Sequence, residues 1–579
     1  MIDKMTKYSF ILLSSEKEKF LQDLQELGVV DITRSSKPVD DKSAALLSRI
    51  ESRKAEIADI NSGSDNNLKA MQAALSELLS RKEEIRPWGT WDRDMLSETG
   101  IGLHFYSIDS RKYLDEWERQ FAIQKVSEED ARTYFVVAGP NDGFPLKELP
   151  APGATLAECE NAVSDKQREM ELYSKALDAR RTEIPALQQE LAAAKAELSR
   201  YLASQAGESA AEDSLAVFEG FAPASEDSTL EKQFDQLPTV WLRDPATAED
   251  NPPIKLRNRP FVSMYEVLTD MYGRPAYGEF DPTVYISIFF TLFFAFCMGD
   301  CGYGLIITLL GLGAGKMLGK LKPLVVTLGI ATMVIGFIFH TFFSIDISQW
   351  AWIQNLGLDK IMLPSKIYIA PMGAEYDWTM VLALIVGVFH LCVAFLVKAF
   401  YSVKQKGLKN SLATLGWALL IVGGVIIGAL AILKVLPAGV TKTVIIVIGV
   451  LSAIGIFFFN NPKANPVINF GNGLWATYNT ATGLLGDVLS YLRLYALGLA
   501  GSMLGAAFNQ LGMMVLGDSP GVVSWIFCIL ILIIGHALNI AMCVLGAFVH
   551  PLRLNFLEFF KNSDYQGSGR NYNPLTTNE

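Results

Sequence analysis

Apolar and polar positions follow two different rhythms along this chain. Up to about residue 275, apolar residues come singly or in pairs at helical or strand spacing, among many charges. Beyond that they run almost without interruption, in stretches long enough to cross a bilayer, which takes roughly 20 apolar residues per helix. The pattern predicts a polytopic α-helical membrane domain of about eight spans: 282–298, 302–318, 323–344, 378–400, 411–433, 440–460, 474–516 and 522–559. The last two are longer than a bilayer is thick, so they are expected to tilt or protrude.

The first rhythm contains two long helical seams. Leu47, Ile50, Ile57, Leu68, Met71, Leu75, Leu78 and Ile85 fall on heptad positions, with an interruption expected at Asn61–Asn67. Leu156, Cys159, Val163, Met170, Tyr173, Leu177, Ile184, Leu187, Leu191, Ala194, Leu198 and Tyr201 keep the same 3/4 spacing. A seam needs a partner helix, and each is the simplest partner for the other. An antiparallel coiled-coil hairpin follows, with arms at about 40–88 and 155–205. Pro185 is expected to bend the second arm or restart its helix. Around the arms, Lys7–Leu13, 100–106, 133–138 and Ser214–Gly220 read as strands, and Glu16–Leu27 as a helix. Residues 1–275 are therefore expected to form α/β lobes carrying the arm. The Pro-, Asp- and Asn-rich stretch Asp244–Pro260 reads as a linker. A membrane domain follows at 276–565 and a tail at 566–579.

Charge sharpens this division. Residues 1–270 hold 33 Lys/Arg and 49 Asp/Glu, while 271–579 hold 17 and 12. The acidic first part argues against nucleic acid, which requires a basic footprint. The polar start, Met1–Lys7, predicts no secretory signal. Lysines follow alternate spans (Lys316, Lys320 and Lys322; Lys398, Lys404, Lys406 and Lys409; Lys463), and Arg570 follows the last. The loop after span three carries Asp346, Asp359, Glu375 and Asp377 against Lys360 and Lys366. Lys434 and Lys442 run against this trend, but the balance predicts both termini on the cytoplasmic side. No phosphate-binding loop is present: Gly311-Leu-Gly-Ala-Gly-Lys-Met317 has the wrong glycine spacing. The pair Cys297/Cys301 lacks the second ligand pair that a metal site needs. No cofactor, metal site or catalytic centre is expected.

The chemistry lies in the polar groups placed inside apolar runs. Arg493 sits within Leu484–Gly501, where a central arginine costs roughly 2.5–3.5 kcal/mol on insertion scales and cannot neutralise itself. Gly486, Ser490, Ala496 and Ala500 share its helical face, and Gly501-x-x-x-Gly505 extends the run of small residues. Such a face lets another helix approach closely. The alternative is an internal ion pair that holds the bundle together. Asp487, six residues before Arg493, is too far along one helix for a direct pair. In span eight, His536, Asn539, Cys543, Gly546, His550 and Arg553 step by three and four, and so form one polar stripe. That stripe marks a bundle interior or a hydrated path.

These residues resemble a known family. Glu279-Phe-Asp-Pro-Thr-Val-Tyr285 with Met298-Gly-Asp-Cys-Gly-Tyr-Gly304, then Asp487–Ala500, then His550–Phe560, are similar to the membrane motifs of the large membrane subunit of rotary V-type (A/V-type) ATPases. This is subunit I of the bacterial and archaeal enzymes and subunit a of the eukaryotic ones. Leu27–Ile32 and Val217–Pro223 resemble the family more softly. The resemblance implies a stator beside a rotating ring of proteolipid subunits. Two offset half-channels would lead H+ or Na+ to the ring. Arg493 falls on the family's essential arginine and Arg553 on a second functional one. Asp487, Ser490, His536, Asn539 and His550 would line the half-channels, and Gly486, Ala500 and Gly501 would face the ring. The arm would tether peripheral-stalk subunits of the E and G type, and ATP chemistry would belong to other subunits. The setting implied is a bacterial or archaeal cell membrane with the N-terminal domain in the cytoplasm. Two departures stand out: Met542, Cys543 and Val544 offer no carboxylate where eukaryotic members have one, and Gly501 replaces a histidine. The competing readings are a secondary transporter and a purely structural membrane anchor.

Overall fold

The computed structural model describes residues 2–34, 40–89, 101–129, 131–140, 144–150, 154–211, 214–348, 350–355, 357, 360, 362–364, 366–369, 374–435, 437–459, 466–517 and 521–577. Lys463, Asp359 and the first residue of the expected strand 100–106 lie outside them. Packing divides the chain into two units, Leu12–Phe218 with Pro574–Glu579, and Met1–Ile11 with Glu219–Asn573. The boundary expected near residue 275 is therefore displaced. Residues 1–11 and 219–275 pack with the apolar helices.

In the first unit, helix α1 (Lys17–Leu27) is followed by α2 (Asp41–Ile85). A three-stranded antiparallel sheet comes next, from β1 (Leu103–Asp109), β2 (Ile123–Glu129) and β3 (Arg132–Ala138), with β3 in the centre. Then comes α3 (Leu156–Ala206). Thr155 starts α3 with a capping box, its hydroxyl accepting from the Glu158 amide while Glu158 accepts from Thr155. Helices α2 and α3 run antiparallel. Lys82 pairs with Glu160 at 3.1 Å, Asn67 bonds to Tyr173 at 3.3 Å, and Arg53 pairs with Glu190 at 3.1 Å. Such exposed pairs contribute little, ~0.2–1 kcal/mol each. The buried seam of Leu46, Ile50, Ile60, Ile85, Cys159, Val163, Leu187 and Ala194 contributes more. The interruption expected at Asn61–Asn67 and the restart expected at Pro185 do not occur. Both helices continue through these positions. Packing along the whole length of a pair outweighs the ~3 kcal/mol that one proline costs.

The end of the chain is no free tail. Ile254 donates to the Arg570 carbonyl at 2.7 Å, Gly569 donates to the Arg274 carbonyl at 2.9 Å, and the Tyr565 phenol donates to the Gly273 carbonyl at 2.7 Å. Asp244–Pro260, expected as a linker, is thereby fixed, with Ile254 fully buried. Residues 6–11 pair antiparallel with 240–245. Buried Asp227 ties this pair down, accepting from Thr6 and Tyr8 at 2.9 Å and pairing with Arg243 at 2.9 Å. Burial and the Asp227 carboxylate push the Tyr8 phenol well above its ordinary pKa. In the first unit, Leu575 is fully buried and its amide donates to the Val30 carbonyl at 3.0 Å.

The apolar helices are α4 (Thr283–Met298), α5 (Cys301–Gly313), α6 (Lys322–Ile338), α7 (Trp378–Lys406), α8 (Leu412–Ile432), α9 (Ala438–Phe458), α10 (Pro466–Ser490), α11 (Leu492–Leu516) and α12 (Val522–Arg553). Among the described residues, six helical stretches are long and apolar enough to cross a membrane, with α10 and α11 forming one of them. The first two expected spans, α4 and α5, are shorter, at 16 and 13 residues. At 1.5 Å per residue they reach ~24 and ~20 Å, below the ~30 Å of a hydrocarbon core. Asp300 joins them. Its carboxylate caps α5 at the Tyr303 amide and accepts from the amides of Phe343 and Ser344 at 3.0 and 2.6 Å. The backbone at Gly336 comes so close that an added Cβ would lie 2.2 Å from the Cys301 nitrogen.

Removing the Leu575 side chain is expected to cost about 2–5 kcal/mol of local stability, as buried Leu→Ala changes do. Carboxypeptidase should therefore trim Leu575→Ala past residue 575 at least about tenfold faster than the parent chain, since trimming follows the opened population. Equal rates would show that the buried Leu575 side chain adds nothing.

Candidate functional site

A single residue, Tyr491, separates α10 from α11. No proline or glycine lies between Gly486 and Gly498, so the break needs another cause. Packing supplies it. Tyr491 is fully buried, and its phenol is hydrogen-bonded to Nδ1 of His390 on α7 at 2.9 Å. Gly387, one turn earlier on α7, leaves room for the ring, because a Cβ there would lie 2.3 Å from it. His390 is itself fully buried and stacks on Phe559 at 4.8 Å. The ladder tightens on both sides: the Tyr491 amide donates to the Val488 carbonyl at 3.2 Å and the Leu494 amide to the Tyr491 carbonyl at 3.0 Å.

Arg493 follows two residues later and is partly buried. Its Nη1 is buried with no hydrogen-bond partner, and it forms no ion pair with any described carboxylate. The expected alternative of an internal pair is therefore not found among the described residues. The titratable groups within its electrostatic reach are His550 on α12 and Glu558 in the turn that follows. Pro551 removes a backbone donor there, and residues 554–559 widen into a π-helical turn. Glu558 is 4% exposed. The Ser490 side chain lies beside it, and its Oε2 has no partner. Arg553 is exposed.

Two cavities flank this arginine along the chain. One, of about 370 Å³, is lined by Lys398, Asn479, Thr480, Gly483, Asp487, Lys561 and Asn562 among others. Asp487 does find an ion partner, from beyond α12. Lys561 Nζ reaches both its oxygens at 3.2 Å, and Asn562 donates to it at 2.8 Å. The other cavity, of about 260 Å³, is lined by Gly299, His340, Thr341, Asp377, Thr379, Tyr495, Gly498 and Ser502 among others. There the Tyr495 phenol donates to Asp377. The first cavity takes α10 residues up to Asp487 and the second takes α11 residues from Tyr495. Arg493 stands between them.

The polar stripe of α12 divides. His536 bonds to the Tyr303 phenol at 2.8 Å and to Asn509 at 3.0 Å. Asn539 donates to Tyr303 and to the Gly501 carbonyl, both at 2.8 Å. His550 belongs instead with Arg493. Of the small residues expected on an outward face, Gly486 and Ala500 are exposed, and nothing lies within 4 Å of a Cβ at Gly486. Gly501 is a correction: it is buried against α12 of its own chain, and a Cβ there would sit 2.6 Å from Cys543 Sγ. No side chain the size of histidine fits at 501. Glu558, Lys561, Tyr491 and His390 were not singled out from the sequence as part of this site, and Asp377 was counted only as loop charge. For Glu558 a signal was present: a carboxylate alone among Leu554, Phe556, Leu557, Phe559 and Phe560. Among the described residues, no group of His, Cys, Asp and Glu is placed to hold a metal ion.

Comparison with known proteins agrees with this geometry. The model of the V-type ATPase 116kDa subunit family matches residues 154–410 and 482–577, which include Arg493, Arg553 and Glu558. The A-type ATP synthase subunit I of Methanocaldococcus jannaschii is 30% identical over 61% of this chain and 53% of its own length. That of Pyrococcus abyssi is 31% identical over 58% and 49%. The chain thus spans about half the length of these archaeal relatives. The V-type ATP synthase subunit I of Borreliella burgdorferi is 25% identical over 99% of both chains. With six helical stretches of membrane length among the described residues and a family match over more than half of the chain, the chain belongs to the V-type ATPase 116kDa subunit family, as a membrane subunit of the rotary ATPase type.

Proposed function

We propose that this chain is the membrane stator of a rotary A/V-type ATPase and carries two ion half-channels beside a ring of proteolipid subunits. The observation that carries this reading is Arg493, a permanent cation that is partly buried, unpaired among the described residues, and placed in sequence between the α10 residues that line one cavity and the α11 residues that line another. A bundle keeps such a charge only if something outside the chain meets it. Exposed Gly486, Ala496 and Ala500 form the face on which a ring helix would dock. A ring carboxylate ~4 Å from Arg493 would gain about 4 kcal/mol at an effective dielectric of 20. That lowers its pKa by roughly three units, so it ionises beside the arginine and takes up an ion on either side. The cavity at Lys398, Asp487 and Lys561 would open to the cytoplasm, in line with the lysine bias, and the cavity at Asp377 and Tyr495 to the outside. Asp487, Ser490 and His550 then belong to the inner path, and His536 and Asn539 stand behind the outer one, with Arg553 as the second cation. Helices α2 and α3 form a coiled-coil arm suited to E- and G-type peripheral-stalk subunits. The setting is the cell membrane of a bacterium or archaeon, with the N-terminal lobes in the cytoplasm.

Arg493→Ala should leave a complex that assembles and hydrolyses ATP but pumps at least about tenfold more slowly into proteoliposomes, a barrier change of ~1.4 kcal/mol or more. A complex that loses its ring on this substitution would instead make the arginine an anchor. Asp377→Asn should also slow uptake about tenfold, with Asp377→Glu recovering most of it. Unchanged uptake in Asp377→Asn would remove that cavity from the path.

A further inference from the structure

The inner path needs a group that can take an ion from the cavity and release it to the ring, and the obvious candidate is already occupied. Asp487 is held by Lys561 on both oxygens and by Asn562. A carboxylate so neutralised has little left to offer a passing ion. Glu558 differs. It is buried beside the Ser490 side chain, with Oε2 bare. Its position is intermediate. Ser490 lies three residues after Asp487 and three before Arg493, one helical turn from each. Asn562 links the Asp487 carboxylate to the Glu558 main chain, donating to Asp487 at 2.8 Å and to the backbone carbonyl of Glu558 at 2.7 Å. His550 also has a bare Nδ1, but it stands beside Arg493 and Arg553, and like charge opposes a third cation there.

From the bare oxygen of Glu558, set between the Asp487 cavity and unpaired Arg493, we infer that Glu558 is the proton relay of the inner path. The inference rests on the stator reading above. A proton arriving from the cavity forms an O–H bond at Oε2, making Glu558 neutral. That bond breaks as the proton passes to the ring carboxylate, and Glu558 returns to the anion, which Arg493 favours. No electrons are transferred. One bare oxygen beside a fixed cation suits a proton rather than a metal ion, which needs several oxygen ligands at once.

The test is ATP-driven proton uptake by the intact complex in liposomes. Glu558→Gln keeps the shape but cannot carry the proton. It should pump at least tenfold more slowly, with the ring still co-purifying and ATP hydrolysis in detergent unchanged. Glu558→Asp should recover part of the rate. Wild-type pumping by Glu558→Gln, or loss of the ring from it, would overturn the inference. So would sodium-dependent uptake that Glu558→Gln leaves untouched. An Arg493→Ala control separates the two levels. If it pumps normally the stator reading fails, and if it is inactive while Glu558→Gln is normal only the relay fails.

Discussion

A guanidinium inside an apolar bundle is a cost that no local rearrangement removes. It cannot release its proton, and in a low dielectric its field reaches far. Most folded chains meet that cost with a carboxylate of their own. Here Glu558 lies within electrostatic reach but forms no ion pair with Arg493, and Asp487 is held by Lys561. The remaining features follow from keeping Arg493 fixed and unpaired. The small outward face and the break lie on α10 and α11 close to it in sequence, and both cavities take part of their lining from those helices.

The break shows how the bundle holds the charge in place. Local sequence favours one continuous helix from α10 into α11. Tyr491 is drawn instead into a pocket formed by Gly387, His390 and Phe293. That anchor fixes the direction in which α11 starts. Arg493 stands in its first turn. A glycine and a histidine of α7 thus serve a residue that neither touches in any described bond.

The sequence was informative wherever one element decides the outcome. Heptad spacing located α2 and α3, apolar run length located the membrane helices, and the arginine announced itself by its cost. What escaped depends on contacts distant in sequence. Asp487 looked stranded because its partner comes from residues 561 and 562, beyond α12. Gly501 looked like an outward small residue because helical spacing cannot tell which side α12 covers, and Cys543 covers it. Pro185 and Asn61–Asn67 looked like breaks because single-helix rules ignore a partner packed along the whole length. The final residues looked like a tail because no local pattern shows that Ile254 and Val30 hold them. The tyrosine clamp has no sequence signal at all, because Tyr491 and His390 lie 101 residues apart.

The central claim is that the face beside Arg493 docks a moving acidic helix. Disulfide cross-linking tests it most directly. A cysteine at Ala500, paired with cysteines stepped along the outer helix of the co-purified proteolipid, should cross-link at the level of the ring carboxylate, and the bond should stop ATP-driven transport until it is reduced. If Ala500→Cys forms no bond with any proteolipid position while the complex is intact and pumping, the arginine faces lipid and the account is wrong.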